Sequence, residues 1–375
     1  MIKRILFSFV LILLLIPLSA QQGKTEKTVL FLIPFHTQDY TGSELTSVRS
    51  SRDINGINSF LLMGFWNGAQ IALEEYEEKN ASLHVIVRDV TENLDQLRNI
   101  MEDKTLMDEV DLIVGPFFSK PFTIAAEYAK RYQIPIVNPF TNLTSILDHN
   151  PYVYKLVPSM ELRPAMVCYV ADQYPQHKII IYEDSSVRNA EQQVYTQYFK
   201  EHKIAFKSVK TQQGLLNEMM PQGKNIVITF CHNAAKMLVL SRDLLYKAKN
   251  TDLMLVVPEA WLQAPAYDVE YYSKLNIHFF SNYFVDEQDP ETQVFEQKYK
   301  SAYKSIPSLD NFAYQGYDIT RFFVEMLLND GDIDRAKITP IACPISFDQV
   351  EDGGYENINM QFLEVVDDEI RSVTF

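Results

Sequence analysis

The strongest constraint in this chain is a repeated alternation of strand-length apolar runs with helix-patterned runs. Val29-Leu30-Phe31-Leu32-Ile33 is apolar at every position. A strand of that kind has both faces covered, as in a parallel sheet. A helical pattern follows over Ser59–Lys79, with Phe65, Ala69, Ala72 and Tyr76 at near-helical spacing and Glu74, Glu75, Glu77 and Glu78 forming a solvated face. Leu83–Val87, Val110–Val114 and Ile134–Val137 supply three more strands. Leu94–Met107 and Ser119–Tyr132 are helical, the latter through Phe122, Ala125, Ala126 and Ala129. Four β-then-α units in a row predict a parallel sheet with helices on both faces.

The rhythm then restarts. Tyr152–Val157 is extended and Ala165–Gln173 helical. Strands over Ile179–Tyr182, Asn225–Phe230 and Leu253–Val257 alternate with helices over Ala190–Glu201 and Ala234–Lys249. Ile277–Phe284 is extended, and helices follow over Gln293–Ser305 and Phe312–Leu328. Ile345–Phe347, Met360–Val366 and Ile370–Phe375 read as antiparallel strands, with Gly353-Gly354 turning between the first two. The expected fold is α/β, with two Rossmann-like lobes built on parallel central sheets. The polar stretch Thr37–Asn58 is long for a plain connection.

Residues 111–142, DLIVGPFFSKPFTIAAEYAKRYQIPIVNPFTN, hold one pattern twice. Each apolar run stops at a Pro-stiffened exit, Gly115-Pro116 or Asn138-Pro139, and a hydroxyl residue follows. Ligands of open parallel sheets sit outside the carboxyl ends of the strands. Ser119 is placed to cap the helix after it, whose N-terminus suits an anion. A capped helix and a well-made turn with no ligand is the other reading of the same residues.

Lys3 and Arg4 precede an apolar run, Ile5–Leu18, and then Ser19-Ala20. That is the pattern of a secretory signal over residues 1–20, and it implies a periplasmic location. A retained N-terminal anchor is the alternative; the run is short for a span of about 20 residues. The net charge of −15 opposes general nucleic-acid binding. Cys168, Cys231 and Cys343 are too few for a disulfide framework and read as small buried hydrophobes, though one disulfide plus a free thiol stays open. The seven His are scattered without metal-ligand spacing, and no P-loop, nucleophile elbow or dinucleotide fingerprint occurs. No metal, cofactor or catalytic group is therefore expected.

The stretch 111–142 resembles the first lobe of type I periplasmic binding proteins, the leucine/isoleucine/valine-binding-protein-like family. GFWNGAQIALEE (64–75), VYKLVPSMELRPAMVCYVAD (153–172), KIIIYED (178–184) and YQGYDITRFFVEML (314–327) extend the resemblance in order. SKPFTIAAEYAKRYQIPIVNPF and LDNFAYQGYDI are especially similar to a subgroup from Bacteroidetes-type bacteria that is often fused to LysM repeats. No segment here resembles those repeats.

The resemblance implies two lobes joined by a three-stranded hinge. Residues 27–150 and 285–336 would form lobe 1, and 151–281 and 340–375 lobe 2. Crossings would fall near 149–152, 281–285 and 336–344. It implies a small-molecule ligand, an amino acid or a short peptide, held in the interlobe cleft for ABC uptake or sensing, with an ABC permease or envelope protein as partner. The alternative is a ligand-free envelope or peptidoglycan-associated module. Site residues carried over are Ser119, Asn138 and Thr141 on the first wall. On the second they are Tyr182, Glu183, His232, Glu259, for the ligand ammonium, and Trp261. Lys120 stands where relatives carry a second small hydroxyl residue, and Cys231-His232 where they often carry Tyr-Gly.

Overall fold

The computed structural model describes residues 26–37, 62–183, 189–263, 269–310, 312–367 and 369–373. The signal-like segment 1–20, nearly all of 37–58, the first residues of the Ser59–Lys79 pattern, residues 184–186 and the last two of Ile370–Phe375 lie outside the described residues.

Two seven-stranded sheets organise the chain. The first contains β1 (Lys27–Ile33), β2 (Leu83–Asp89), β3 (Leu112–Val114), β4 (Ile136–Asn138), β5 (Val153–Lys155), β11 (Phe347–Gln349) and β12 (Tyr355–Asn357). Its order is β11-β12-β5-β4-β3-β1-β2. The second contains β6 (His177–Tyr182), β7 (Phe206–Val209), β8 (Lys224–Thr229), β9 (Asp252–Val256), β10 (Ile277–Ser281), β13 (Gln361–Val366) and β14 (Glu369–Ser372). Its order is β14-β13-β10-β9-β8-β6-β7. β1 to β5 run parallel, as do β6 to β10. β11 is antiparallel to β12, and β13 to both β10 and β14.

The helices are α1 (Met63–Glu78), α2 (Leu94–Glu102), α3 (Lys104–Met107), α4 (Ser119–Tyr132), α5 (Arg163–Ala171), α6 (Ala190–Glu201), α7 (Gln212–Glu218), α8 (Ala234–Lys247), α9 (Val269–Lys274), α10 (Pro290–Tyr303) and α11 (Ala313–Leu328). They explain why the strand runs are apolar throughout. Phe31, Val114 and Val137 pack with Phe65, Ile319 and Phe323 on one face of the first sheet. Leu30, Leu32, Ile113 and Ile136 pack with Leu97, Phe122, Ala125 and Ala129 on the other. The second sheet is covered the same way, by Leu240, Leu244 and Tyr272 on one side and Val167, Tyr195 and Phe199 on the other.

α1 and α11 meet backbone to backbone. A Cβ on Gly68 would lie 1.9 Å from the Ala313 carbonyl oxygen, and one on Gly316 would lie 1.9 Å from that of Phe65. Two glycines thus face each other's helix, and their contact docks the late segment onto the first lobe.

The C-terminal strands differ from the sequence expectation. Residues 340–375 do not all join the second sheet, because β11 and β12 belong to the first. Tyr355 stacks on Tyr154 with centroids 4.7 Å apart, and Phe347 packs edge-on to Tyr154. Gly353-Gly354 turns between β11 and β12, and Met360–Val366 lies beyond a crossing. The chain thus changes sheet between Lys155 and Arg163, after Ser281, and between Asn357 and Gln361. Its first and third crossings lie later than 149–152 and 336–344.

Residues 341–343 are instead pinned to lobe 1 by Asp318. This fully buried carboxylate accepts the backbone N–H groups of Ile341, Ala342 and Cys343 at 2.8–3.1 Å. The sequence gives no local sign of it, since Asp318 sits inside a helical pattern. Lys155, also fully buried, ties the first crossing to the third. Its Nζ donates to Glu356 Oε1 at 2.6 Å, to Val157 O at 2.5 Å and to Ser159 Oγ at 3.3 Å. Ser159 Oγ also bonds Glu356 Oε1. Removing one partner of such a pair typically costs about 3–5 kcal/mol.

Gly316→Ala is expected to cost about 2–3 kcal/mol through overpacking, visible as a lower urea midpoint; unchanged stability would contradict the close helix contact. Burial pushes Asp318 up to about 6, with the three backbone donors pulling it back. An unfolded Asp titrates near about 3.9. Between those values the folded state holds a proton that the unfolded state has lost, so this group's contribution falls as pH rises from about 4 to about 6. The stability difference between wild type and Asp318→Asn should therefore shift toward the variant over that window, and denaturation at pH 4.5 and 7 checks it.

Candidate functional site

In the first sheet the strand order reverses at β1, which lies between β2 and β3. In the second it reverses at β6, between β7 and β8. Crevices open at the carboxyl ends beside such points. Asp89, at the end of β2, shapes the first one. Its carboxylate accepts the backbone N–H groups of Phe35, His36 and Thr37 at 2.8–3.1 Å, fixing the exit of β1.

The exits of β3 and β4 are built as one unit. Gly115 has φ +94°, and a Cβ there would lie 2.4 Å from the Leu32 carbonyl oxygen. The Gly115–Pro116 peptide is cis. Asn138 is fully buried, and its side chain bonds both neighbouring exits. Its Oδ1 accepts Phe140 N–H at 2.9 Å and Thr141 N–H at 2.7 Å, while its Nδ2 donates to Pro116 O at 3.2 Å. Asn138 therefore positions Thr141.

Ser119 Oγ and Thr141 Oγ1 lie 3.1 Å apart, so the two exits do bring their hydroxyls together. Ser119 is not the helix cap: Phe118 holds that position, in extended backbone, and Ser119 is the first helical residue. Its hydroxyl faces Thr141 rather than the helix's own amides. The first-turn amides of α4 stay available, as at any helix start, apart from Pro121. Lys120 is exposed beside the pair, and so are Phe118 and Leu143.

The second wall is more selective than the sequence suggested. Glu259 and Ser281 meet at the ends of β9 and β10, with Ser281 Oγ 2.8 Å from Glu259 Oε1. Ser281 Oγ is also 2.8 Å from Tyr283 O. One hydroxyl proton cannot serve both oxygens at once, so Ser281 shares its donor between Glu259 and Tyr283. Partial enclosure raises the Glu259 pKa, while the Ser281 bond and the charge of Arg163 pull it down. The residue as a whole is exposed, so the enclosure is not that of a core. Tyr283, on the second crossing, donates its hydroxyl to Pro139 O at 3.0 Å and reaches the first wall's exit.

Other candidates do not join them. Trp261 is fully buried, and its Nε1 donates to Cys231 O at 2.8 Å, so it is a core residue and not a ligand platform. Glu183 places its carboxylate 3.6 Å from Lys210 Nζ, toward the β7 edge. Tyr182 is half-buried against the second-lobe core. His232 is exposed, next to the buried Cys231 and to Asn233, which caps α8. All three cysteines are free, and burial pushes Cys168 up to about 11. Among the described residues no cluster of His, Cys, Asp and Glu could hold a metal ion. Nor is any described helix long and apolar enough to cross a membrane. Two surface grooves of about 520 and 530 Å³ lie elsewhere, one between α1 and β2 around Trp66 and one along α6 beside Glu183.

Ser281, Tyr283 and Arg163 were missed by sequence reasoning. Ser281 ends a parallel strand, so the strand-exit rule would have found it had β10 been treated like β9. Arg163 had no such signal.

Two mostly parallel sheets with flanking helices, joined by three crossings, define the two-lobed type I periplasmic binding-protein fold. Residues 69–328 match the family described as the receptor family ligand binding region, and the chain belongs to that family. A protein of Rhodospirillum rubrum assigned to branched-chain amino acid ABC transport is similar in structure, with TM-score 0.62 and 13% identity over 93% of this chain and 100% of that one. A branched-chain amino acid ABC transporter periplasmic ligand-binding protein of Burkholderia xenovorans LB400 gives TM-score 0.57 and 12% identity, over 93% of this chain and 95% of that one. An ABC transporter substrate-binding protein of Desulfitobacterium hafniense in complex with Leu gives 0.52 and 15%, over 93% and 100%. No curated protein matches the chain.

Asn138→Ala would leave two buried amides and a carbonyl unpaired, at about 3 kcal/mol or more. The expected result is a clear fall in chemical stability, with Thr141→Val costing less than half as much. Equal losses would contradict the positioning role of Asn138.

Proposed function

We propose that this protein is an exported solute-binding protein that holds an amino acid or short peptide between its lobes without altering it. The observation that carries the reading is the pairing of unlike walls. Ser119 and Thr141 present hydroxyls beside a helix N-terminus, a combination suited to a carboxylate. Glu259 on the second wall is suited to an ammonium group. The Leu complex of the Desulfitobacterium hafniense protein supports the ligand class. Hinge closure at the three crossings would bring both walls onto one ligand.

The apolar segment 5–18 supports export to the periplasm, and the lobe division follows sheet membership. Kinship with the subgroup often fused to LysM repeats belongs to the same proposal. Delivery to an ABC permease is one use of such a protein, and sensing at the envelope is another. No nucleophile paired with a base enters the reading. Cys231 is buried and His232 exposed, and the site residues are used in binding.

A thermal-shift screen with amino acids and cell-wall peptides tests the proposal. At least one ligand should raise the unfolding temperature, because it binds the folded state alone. If none does, the envelope-module use of the fold is favoured instead. Glu259 also gives the site a pH signature. Its raised pKa means the carboxylate takes up a proton as pH falls, above the usual carboxylate range, and loses its attraction for an ammonium group. Affinity should hold between pH 7 and 8 and decline toward pH 5. Glu259→Gln should weaken binding about tenfold or more at pH 7.5 and flatten that profile; calorimetric titration reads both.

A further inference from the structure

Arg163 is the first residue of α5, which leads from the first crossing to the start of β6. A helix leading into a parallel strand begins at the sheet's carboxyl edge. That edge carries Glu259 and Ser281. The Arg163 side chain is 25% exposed. Its Nη1 donates to Glu191 Oε1, in the first turn of α6, at 2.6 Å. Its guanidinium lies over the Phe280 ring, 5.5 Å from the centroid, one residue before Ser281. Nε is buried and, among the described residues, has no hydrogen-bond partner.

A guanidinium carries five donors in a rigid fork that matches a carboxylate. Glu191 accounts for one of them. A buried N–H with no acceptor is costly, so its persistence points to an acceptor that arrives with the ligand. The charge of Arg163 is also felt by Glu259, which places the two within electrostatic reach on one wall. That wall therefore offers an anion and a cation together, where an aliphatic amino acid would need only the anion. Lys120 adds a second exposed cation on the facing wall.

We infer that the ligand carries a second carboxylate, received by Arg163, and is an acidic amino acid, either free or as a residue of a short peptide. This rests on the amino-acid reading above and narrows it. The ligand's α-carboxylate goes to Ser119, Thr141 and the start of α4, its ammonium to Glu259, and its side-chain carboxylate to the Nε edge of Arg163.

Calorimetric titration at pH 7.5 with L-glutamate, L-alanyl-L-glutamate, L-glutamine and L-leucine tests it. One acidic probe should bind at least tenfold tighter than both neutral ones, and which one distinguishes a free amino acid from a peptide. Arg163→Gln should lose at least tenfold for that probe and leave leucine binding within threefold. Glu191→Gln breaks the ion pair but keeps the guanidinium, so it should leave the acidic probe within threefold. If Arg163→Gln does not fold, Arg163→Lys keeps the charge without the fork and should still lose about tenfold. Neutral probes binding as tightly as acidic ones would overturn the inference while the amino-acid reading stands. So would an unchanged preference in Arg163→Gln, or an equal loss in Glu191→Gln. Failure of all four probes would overturn the inference, and the thermal-shift screen would then show whether the broader reading fails with it.

Discussion

The first wall of this molecule depends on one buried amide. Asn138 ends β4 with its side chain turned along the sheet edge, where it binds the turn that follows and the carbonyl of Pro116 on the neighbouring exit. A buried amide of this kind stays in place because every one of its bonds would be expensive to lose. Its consequence is geometric. Thr141 is presented to Ser119 across two strands that the chain makes 22 residues apart, with both hydroxyls at the carboxyl edge of the sheet. Gly115 permits the approach, since any side chain there would strike the backbone of β1.

The second wall is held by a different logic. Its polar groups include an ionisable one, Glu259, and they are tied to the crossings. Glu259, Ser281 and Tyr283 form a chain of contacts that ends on Pro139, directly beside Asn138. The charged end of one wall is thus connected through the second crossing to the hydroxyl end of the other. Lys155 and Glu356 fasten the remaining two crossings to each other.

Much of this was legible in the sequence, and what was not has a physical cause. The fully apolar runs at Val29–Ile33 and Ile134–Val137 identified buried parallel strands, because a strand with one wet face would alternate. The two Pro-bearing exits were found, and Ser119 and Thr141 were picked out at them; that their hydroxyls meet is shown by the structure. Asn138 was read only as a contact, and its supporting role was not seen; sequence shows a polar residue at an exit but not where its amide points. Trp261 failed for the same reason, since its indole is turned inward to Cys231. The C-terminal strands were assigned to one lobe because hydrophobic alternation does not reveal a partner. β12 goes to the first sheet because Tyr355 finds Tyr154 and Asn357 donates to Leu156 O. Asp318 was invisible, because a single buried carboxylate leaves no periodic trace.

In the proposed binding mode one ligand is grasped at both ends, its carboxylate by the hydroxyl wall and its ammonium by Glu259. A crystal structure of the protein with a bound amino acid or peptide measures this directly. The account expects a ligand carboxylate oxygen within about 3.2 Å of Thr141 Oγ1 or Ser119 Oγ, and the ammonium nitrogen within the same reach of Glu259. A ligand bound in the opposite orientation, or outside the cleft with Glu259 still bonded only to Ser281, would contradict it.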